Sequence, residues 1–444
     1  MTSTLPAVAR PGWRRPLPLP RVERLWRAPE AVVVVVVWVL LVTQQIAVSL
    51  SRPKMYVPLT EGGQDVPAWA ATVTTVTNGG VVLLAVVVAG WRAREVPWHR
   101  WGLLLLTLAP WALVVARLVV LGRSPGALAL VYPAIVIALW VVLPRLAVVE
   151  VLGYLTVATA TISVLLGVVA PWAGLYVRAE GAELEKPIGP FGVLAGVMLS
   201  GNDLGLVLAV GFAAVLTIRV GAVRWPGLVV TLVAVGWSAS RTAMVAVAAV
   251  LVALVVVNVV RRRGRVEDAQ APARAVQVVV AVGLGVLALV MVALPLLVSG
   301  DTAFSNRGRL WAFAIERFGE APVLGWGADV FKQLAQSEEN LGGHASHAHN
   351  LAAQVLVSGG LVLAVAMVAL LGCAILRSAR SAAQGWDWAP LFLTAFLVVA
   401  WFEVPLVLTD RIRQYPYVVV PLLVVLFVQP VAAAVRSSAR SAEP

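Results

Sequence analysis

Residues 344–350 read His-Ala-Ser-His-Ala-His-Asn and gather three of the four histidines of a 444-residue chain. Two chemistries suit such a run. Three imidazoles are a common ligand set for zinc. A single imidazole, with an unperturbed pKa of about 6.5, suits proton transfer at neutral pH. No carboxylate or thiol lies within the run to complete a structural metal site, so it is read without a metal, and no cofactor is expected. His349 is the best-placed base, because Asn350 and a long apolar run follow it directly; His344 and His347 read as loop residues.

Arginines supply the second kind of chemistry. In Ser-Ala-Ser-Arg-Thr-Ala, 238–243, Arg241 stands between two apolar runs. An arginine there either snorkels to lipid head groups or faces a wet cavity. In the stretch 305–327, residues 308–318 read as a short amphipathic helix ended by Pro322 and the Gly325–Trp326–Gly327 turn. Arg307 and Arg309 fall at its start, where cations oppose the helix dipole and call for an anion, unless they are simply solvated. Two or three guanidiniums make a forked clamp for phosphate oxygens. With a base beside them, they suit a lipid-linked diphosphate: the clamp stabilises the departing diphosphate while the base activates an attacking alcohol. Arg411 and Arg413, in Leu-Thr-Asp-Arg-Ile-Arg-Gln-Tyr-Pro, form a further polar turn, either a surface ion-pair group or a contact for substrate glycan.

The elements that must position these residues are transmembrane helices. Hydrophobic residues make up 60% and charged residues 13% of the chain, where soluble domains run to roughly 45–50% and about 25%. The apolar runs are continuous and reach the roughly 20 residues that cross a bilayer, so they are helices rather than alternating barrel strands. About twelve segments are expected, at roughly 31–50, 70–90, 101–120, 127–143, 147–169, 201–218, 226–237, 242–260, 275–298, 350–376, 391–408 and 416–434. The short seventh and the eighth are separated only by the Arg241 turn and read as a broken pair. Basic residues concentrate on alternate connections, with Arg261–Arg262–Arg263 and Arg265 the strongest group, and acids are fewer there. This satisfies the positive-inside rule with both termini cytoplasmic. It also explains the net charge of +12 without a nucleic-acid partner. The first run is too long for a signal-peptide core, lacks a small-x-small cleavage site and reads as a retained span. The expected organisation is a basic tail, 1–30, a single transmembrane domain, 31–434, and a short tail, 435–444. Large extracytoplasmic loops fall at about 171–199 and 299–349. The lone Cys373, inside an apolar run, reads as a small buried hydrophobe.

The ordered set, Ser-Ala-Ser-Arg-Thr-Ala, then Ser-Asn-Arg-Gly-Arg-Leu-Trp with Ala-Pro-Val-Leu-Gly-Trp-Gly, then His349–Asn350 separated by nine residues from Gly360, resembles the O-antigen ligase / O-antigen polymerase superfamily over about 200–375. The resemblance implies a GT-C-like fold and inverting, metal-independent transfer of a glycan from an undecaprenyl-diphosphate carrier to an acceptor hydroxyl outside the cytoplasmic membrane. It assigns Arg241 and Arg307, the latter in preference to Arg309, to the diphosphate and His349 to the base. It adds Asn202, in Ser-Gly-Asn-Asp-Leu-Gly, as a cavity residue beside Asn350. Ala364 departs from the small polar residue or glycine that the family often carries there. The acceptor, glycolipid for a ligase or another lipid-linked repeat for a polysaccharide polymerase, stays open. A transporter or flippase of lipid-linked glycans would also use arginines in a membrane cavity, but it calls for inverted repeats and more charge within spans; Arg117 and Glu403 alone are placed there.

Overall fold

The computed structural model describes residues 28–51, 54–55, 66–142, 147–177, 192–263, 271–298, 300, 303–336, 347–409 and 414–428. Residues 1–27 of the expected N-terminal tail, the whole C-terminal tail, and His344, Arg411 and Arg413 lie outside the described residues.

A helix falls on each of the twelve apolar segments. Seven are long and apolar enough to cross a membrane: α1 (Pro29–Ser51), α2 (Ala68–Arg92), α3 (Trp101–Val120), α5 (Ala147–Val169), α8 (Arg241–Arg263), α9 (Ala271–Leu297) and α12 (Leu351–Ala383). Five are shorter: α4 (Val131–Val142), α6 (Gly201–Val215), α7 (Gly221–Trp237), α13 (Trp388–Ala400) and α14 (Val419–Phe427). The protein is thus a mostly helical, polytopic membrane protein. The short helices α4, α6, α13 and α14 are buried along almost their whole length. Enclosure by protein is the condition under which a short helix and the irregular chain at its ends can be satisfied at membrane depth.

The long helices α2, α3, α8 and α9 leave much apolar surface open, including Val86, Leu105, Val252 and Leu289. This is the surface expected of a lipid-facing wall. Two amphipathic helices, α10 (Ala303–Glu320) and α11 (Val330–Gln336), occupy the large loop.

Four expectations need correction. First, a small sheet interrupts the all-helical plan: β1 (Lys54–Met55) pairs parallel with β2 (Leu175–Val177), which pairs antiparallel with β3 (Val193–Leu194). Chain between spans must find partners for its backbone, and a strand ladder supplies them. Second, α10 begins at Ala303, ahead of the expected 308, with Phe304 at φ +51°, so Arg307 and Arg309 lie inside the helix but close to its start. Third, α13 stops at Ala400 instead of running to 408. Pro405 cannot continue a helix, and the backbone tightens instead: Phe402 N–H donates to Val399 O and Trp401 N–H to Val398 O. Glu403 therefore sits in irregular chain and not within a helical span. Fourth, the seventh helix starts earlier than expected: α7 begins at Gly221, ahead of the apolar run, carries Pro226 in its second turn and, at 17 residues, stays among the shorter helices. The break after it is real, with Ala239 at φ +50°.

Helix direction places the candidate residues at one end. Arg261, near the end of α8, forms an ion pair of 2.5 Å with Asp387, just before α13. The two helices pack antiparallel, so Arg241 at the start of α8 and Glu403 past the end of α13 lie at the same end. The start of α6 is there too: a Cβ on Gly205 would stand 2.5 Å from Ser240 Cβ. So is the end of α9, where Met291 O accepts from Asn350.

Candidate active site

The site is built on a break in α12. Gly360 has φ +61° and ψ −158°, a combination open almost only to glycine. The break leaves helical carbonyls and amides without intrahelical partners, and the 322–327 segment takes them up. Trp326 and Gly327 N–H donate to Val357 O and Ser358 O at 2.8 and 2.9 Å, while Leu361 N–H donates to Pro322 O at 2.8 Å. Gly325, at φ +63°, approaches so closely that a Cβ would stand 2.6 Å from Gly359 N. Arg117 clamps the turn from α3, donating through Nε and Nη2 to Gly325 O at 3.0 and 2.6 Å. Arg117 is therefore a structural cation.

Asn350 anchors the start of α12. Its Oδ1 accepts from Ala353 N–H at 2.9 Å, and its Nδ2 donates to Met291 O at 2.9 Å and Trp401 O at 3.1 Å. The side chain is fully buried. It ties α9, α12 and the end of α13 together and builds the site instead of lining a cavity. Gln354 straps the histidine loop, accepting from Ala348 N–H at 2.9 Å and donating to Ser358 at 2.9 Å. Ala348 packs into a cluster with Trp311, Phe331 and Val357.

Held this way, the histidine loop meets Glu403. His349 Nδ1 lies 3.1 Å and His347 Nε2 3.3 Å from Glu403 Oε2, with the two imidazoles 3.9 Å apart between centroids. His349 adopts φ +50°, a left-handed conformation that histidine visits more often than most residues. Arg307 Nη2 donates to the other carboxylate oxygen, Oε1, at 2.7 Å. Its guanidinium also lies 5.8 Å from the Phe402 ring. Phe402 in turn packs on buried Trp311, four residues after Arg307 on α10. One carboxylate thus joins a guanidinium and two imidazoles. Because a carboxylate only accepts, the nitrogens facing it carry hydrogen; in the neutral form of His349, Nε2 then keeps its lone pair.

The other expected residues divide. Arg241 opens α8, exposed at the same end. Asn202, half-buried in the first turn of α6, sits beside the Ser238–Arg241 turn that Gly201 and Gly205 approach. Its neighbour Asp203 accepts from Gln414 Nε2 at 2.7 Å. Arg309 is exposed; two residues from Arg307, it cannot share that residue's helix face. His347 joins the cluster although its sequence position suggested an idle loop residue. Glu403 and Gln354 were missed as site residues. A lone acid in an apolar stretch was the only signal for Glu403, and Gln354 gave none. His347, His349 and Glu403 also form a group able to hold a metal ion, their ligand atoms within 4.8 Å of one another.

A polytopic helical protein with a His–Glu–Arg cluster at one end of its bundle is a candidate membrane enzyme. Residues 226–368 match the model of the family described as O-Antigen ligase. The matched segment includes Arg241, Arg307 and His349, and it supports the resemblance to the O-antigen ligase superfamily. Glu403 lies beyond the matched segment. Searches of curated proteins and of solved structures returned no match.

Proposed function

We propose that this protein is a glycosyltransferase that moves a glycan from an undecaprenyl-diphosphate carrier to an acceptor hydroxyl at the outer face of the cytoplasmic membrane. The single observation that carries the reading is the Glu403 carboxylate holding Arg307 on one oxygen and His349 on the other. His349 Nε2 takes the proton of the acceptor hydroxyl. The hydroxyl oxygen attacks the anomeric carbon opposite the carrier, the bond from that carbon to the diphosphate oxygen breaks, and configuration inverts. Glu403 fixes the tautomer and offsets the imidazolium charge that forms. Arg307 and Arg241 hold the departing diphosphate, which carries the negative charge away.

The family match supports membrane glycan processing of ligase or polymerase kind. The basic alternate connections support a cytoplasmic position for the Arg261 end and an outer position for the site. On this reading all twelve helices cross, in a GT-C-like arrangement, and the single domain spans 31–434.

Reconstitution with lipid-linked oligosaccharide and candidate acceptors tests it. His349→Ala is expected to lower transfer by about 10³-fold while leaving the protein folded. Wild-type transfer by that variant removes the base from the mechanism. A ladder of product lengths identifies a polymerase, and a single addition to a glycolipid identifies a ligase.

A further inference from the structure

From the same cluster we infer that His347, His349 and Glu403 form a binding site for a divalent transition-metal cation, zinc above all, and that occupation of it silences the enzyme. Two imidazoles and one carboxylate are an established zinc ligand set. Bond lengths of 2.0–2.1 Å set neighbouring tetrahedral ligands about 3.3 Å apart, and the two nitrogens stand 3.3 and 3.1 Å from Glu403 Oε2. The ligands come from two distant parts of the chain and are held in place. His347 is buried, Asn350 and Gln354 fix the loop, and Arg307 engages the carboxylate through Oε1, leaving the Oε2 side to the imidazoles. A hydrogen-bonded carboxylate ligand is the usual second shell of a metal site. The guanidinium also repels a dication, so the site suits an exchangeable cation and not a resident one. Magnesium and calcium, which demand oxygen ligands, do not fit it.

Inhibition follows from the tautomer. In the metal-free cluster both nitrogens that face Glu403 carry hydrogen. A cation in that position takes their lone pairs, so in each neutral ring the proton moves to the other nitrogen with no net release. On His349 that nitrogen is Nε2, which then donates and can no longer accept the substrate proton. The inhibition, but not the binding, rests on the reading of His349 as the base.

The test uses the full-length protein in detergent with zinc alone, and cobalt as a spectroscopic probe. One zinc per chain retained after dialysis against micromolar zinc, a tetrahedral cobalt spectrum, and binding weakened at least about 100-fold in His347→Ala and in Glu403→Gln are expected. Zinc is expected to suppress transfer by the wild type, and chelator to restore it. No zinc retained by folded wild-type protein overturns the proposal, as does binding that survives His347→Ala. Zinc bound at the site without loss of transfer overturns the inhibition. Activity of His349→Ala without metal bears only on the assignment of the base, so the two readings fail separately.

Discussion

Glu403 is the residue on which the cluster depends. Replacing it with glutamine keeps the size but removes the charge that opposes a forming imidazolium. Glu403→Gln is expected to lower kcat for glycan transfer by about 10²-fold or more, with KM little changed. Glu403→Ala leaves the Arg307 guanidinium, only 18% exposed, without its carboxylate. Breaking a buried pair from one side costs about 3–5 kcal/mol, so a fall in the thermal midpoint of the detergent-solubilised protein is expected for alanine, and a smaller one for glutamine, whose amide oxygen can still accept from Arg307. At Arg307 a lysine preserves charge but loses the planar fork that can hold the carboxylate and a phosphate oxygen together. Arg307→Lys is expected to lose about 10²-fold in transfer, the cost of one lost donor to developing charge. Unchanged kinetics would show that charge alone matters there.

Among the elements, α12 and the 322–327 turn behave as one unit, because each supplies the hydrogen bonds that the other lacks. Gly360→Ala tests this. An alanine at φ +61° is strained by about 1–3 kcal/mol, and its Cβ would run into the backbone of Val323. Loss of thermal stability together with loss of transfer is expected, since α10 carries Arg307 and α12 follows His349. A substitution of similar size at Gly372, where no atom lies within 4 Å of an added Cβ, is expected to be silent in both assays.

For the whole molecule, the bundle has a polar, site-bearing end and a basic end fastened by Arg261 and Asp387. Its single cysteine makes their placement testable. In a Cys373→Ser background, Trp172→Cys lies just past α5 at the site end, and Gln384→Cys lies just past α12 at the other; both positions are exposed. A membrane-impermeant maleimide is expected to label Trp172→Cys in intact cells and Gln384→Cys only after permeabilisation. The opposite pattern would put the site in the cytoplasm.

Hydrophobic composition, the run lengths and the ordered arginine and histidine motifs were enough to read a helical membrane protein that resembles the O-antigen ligase superfamily, because each of those signals is local. The resemblance favoured Arg307 over Arg309 by its spacing to Trp311, and the structure brings Arg307 to Glu403. Glu403 and Gln354 were not legible, nor was the conversion of His347 from loop residue to cluster member. Their positions are set by long-range closure: a break at Gly360, a helix stopped before Pro405, and Asn350 tying three elements together. Only the fold could bring a carboxylate onto imidazoles 54 and 56 residues away. Contacts at such separation follow from packing and backbone satisfaction, which no local pattern records.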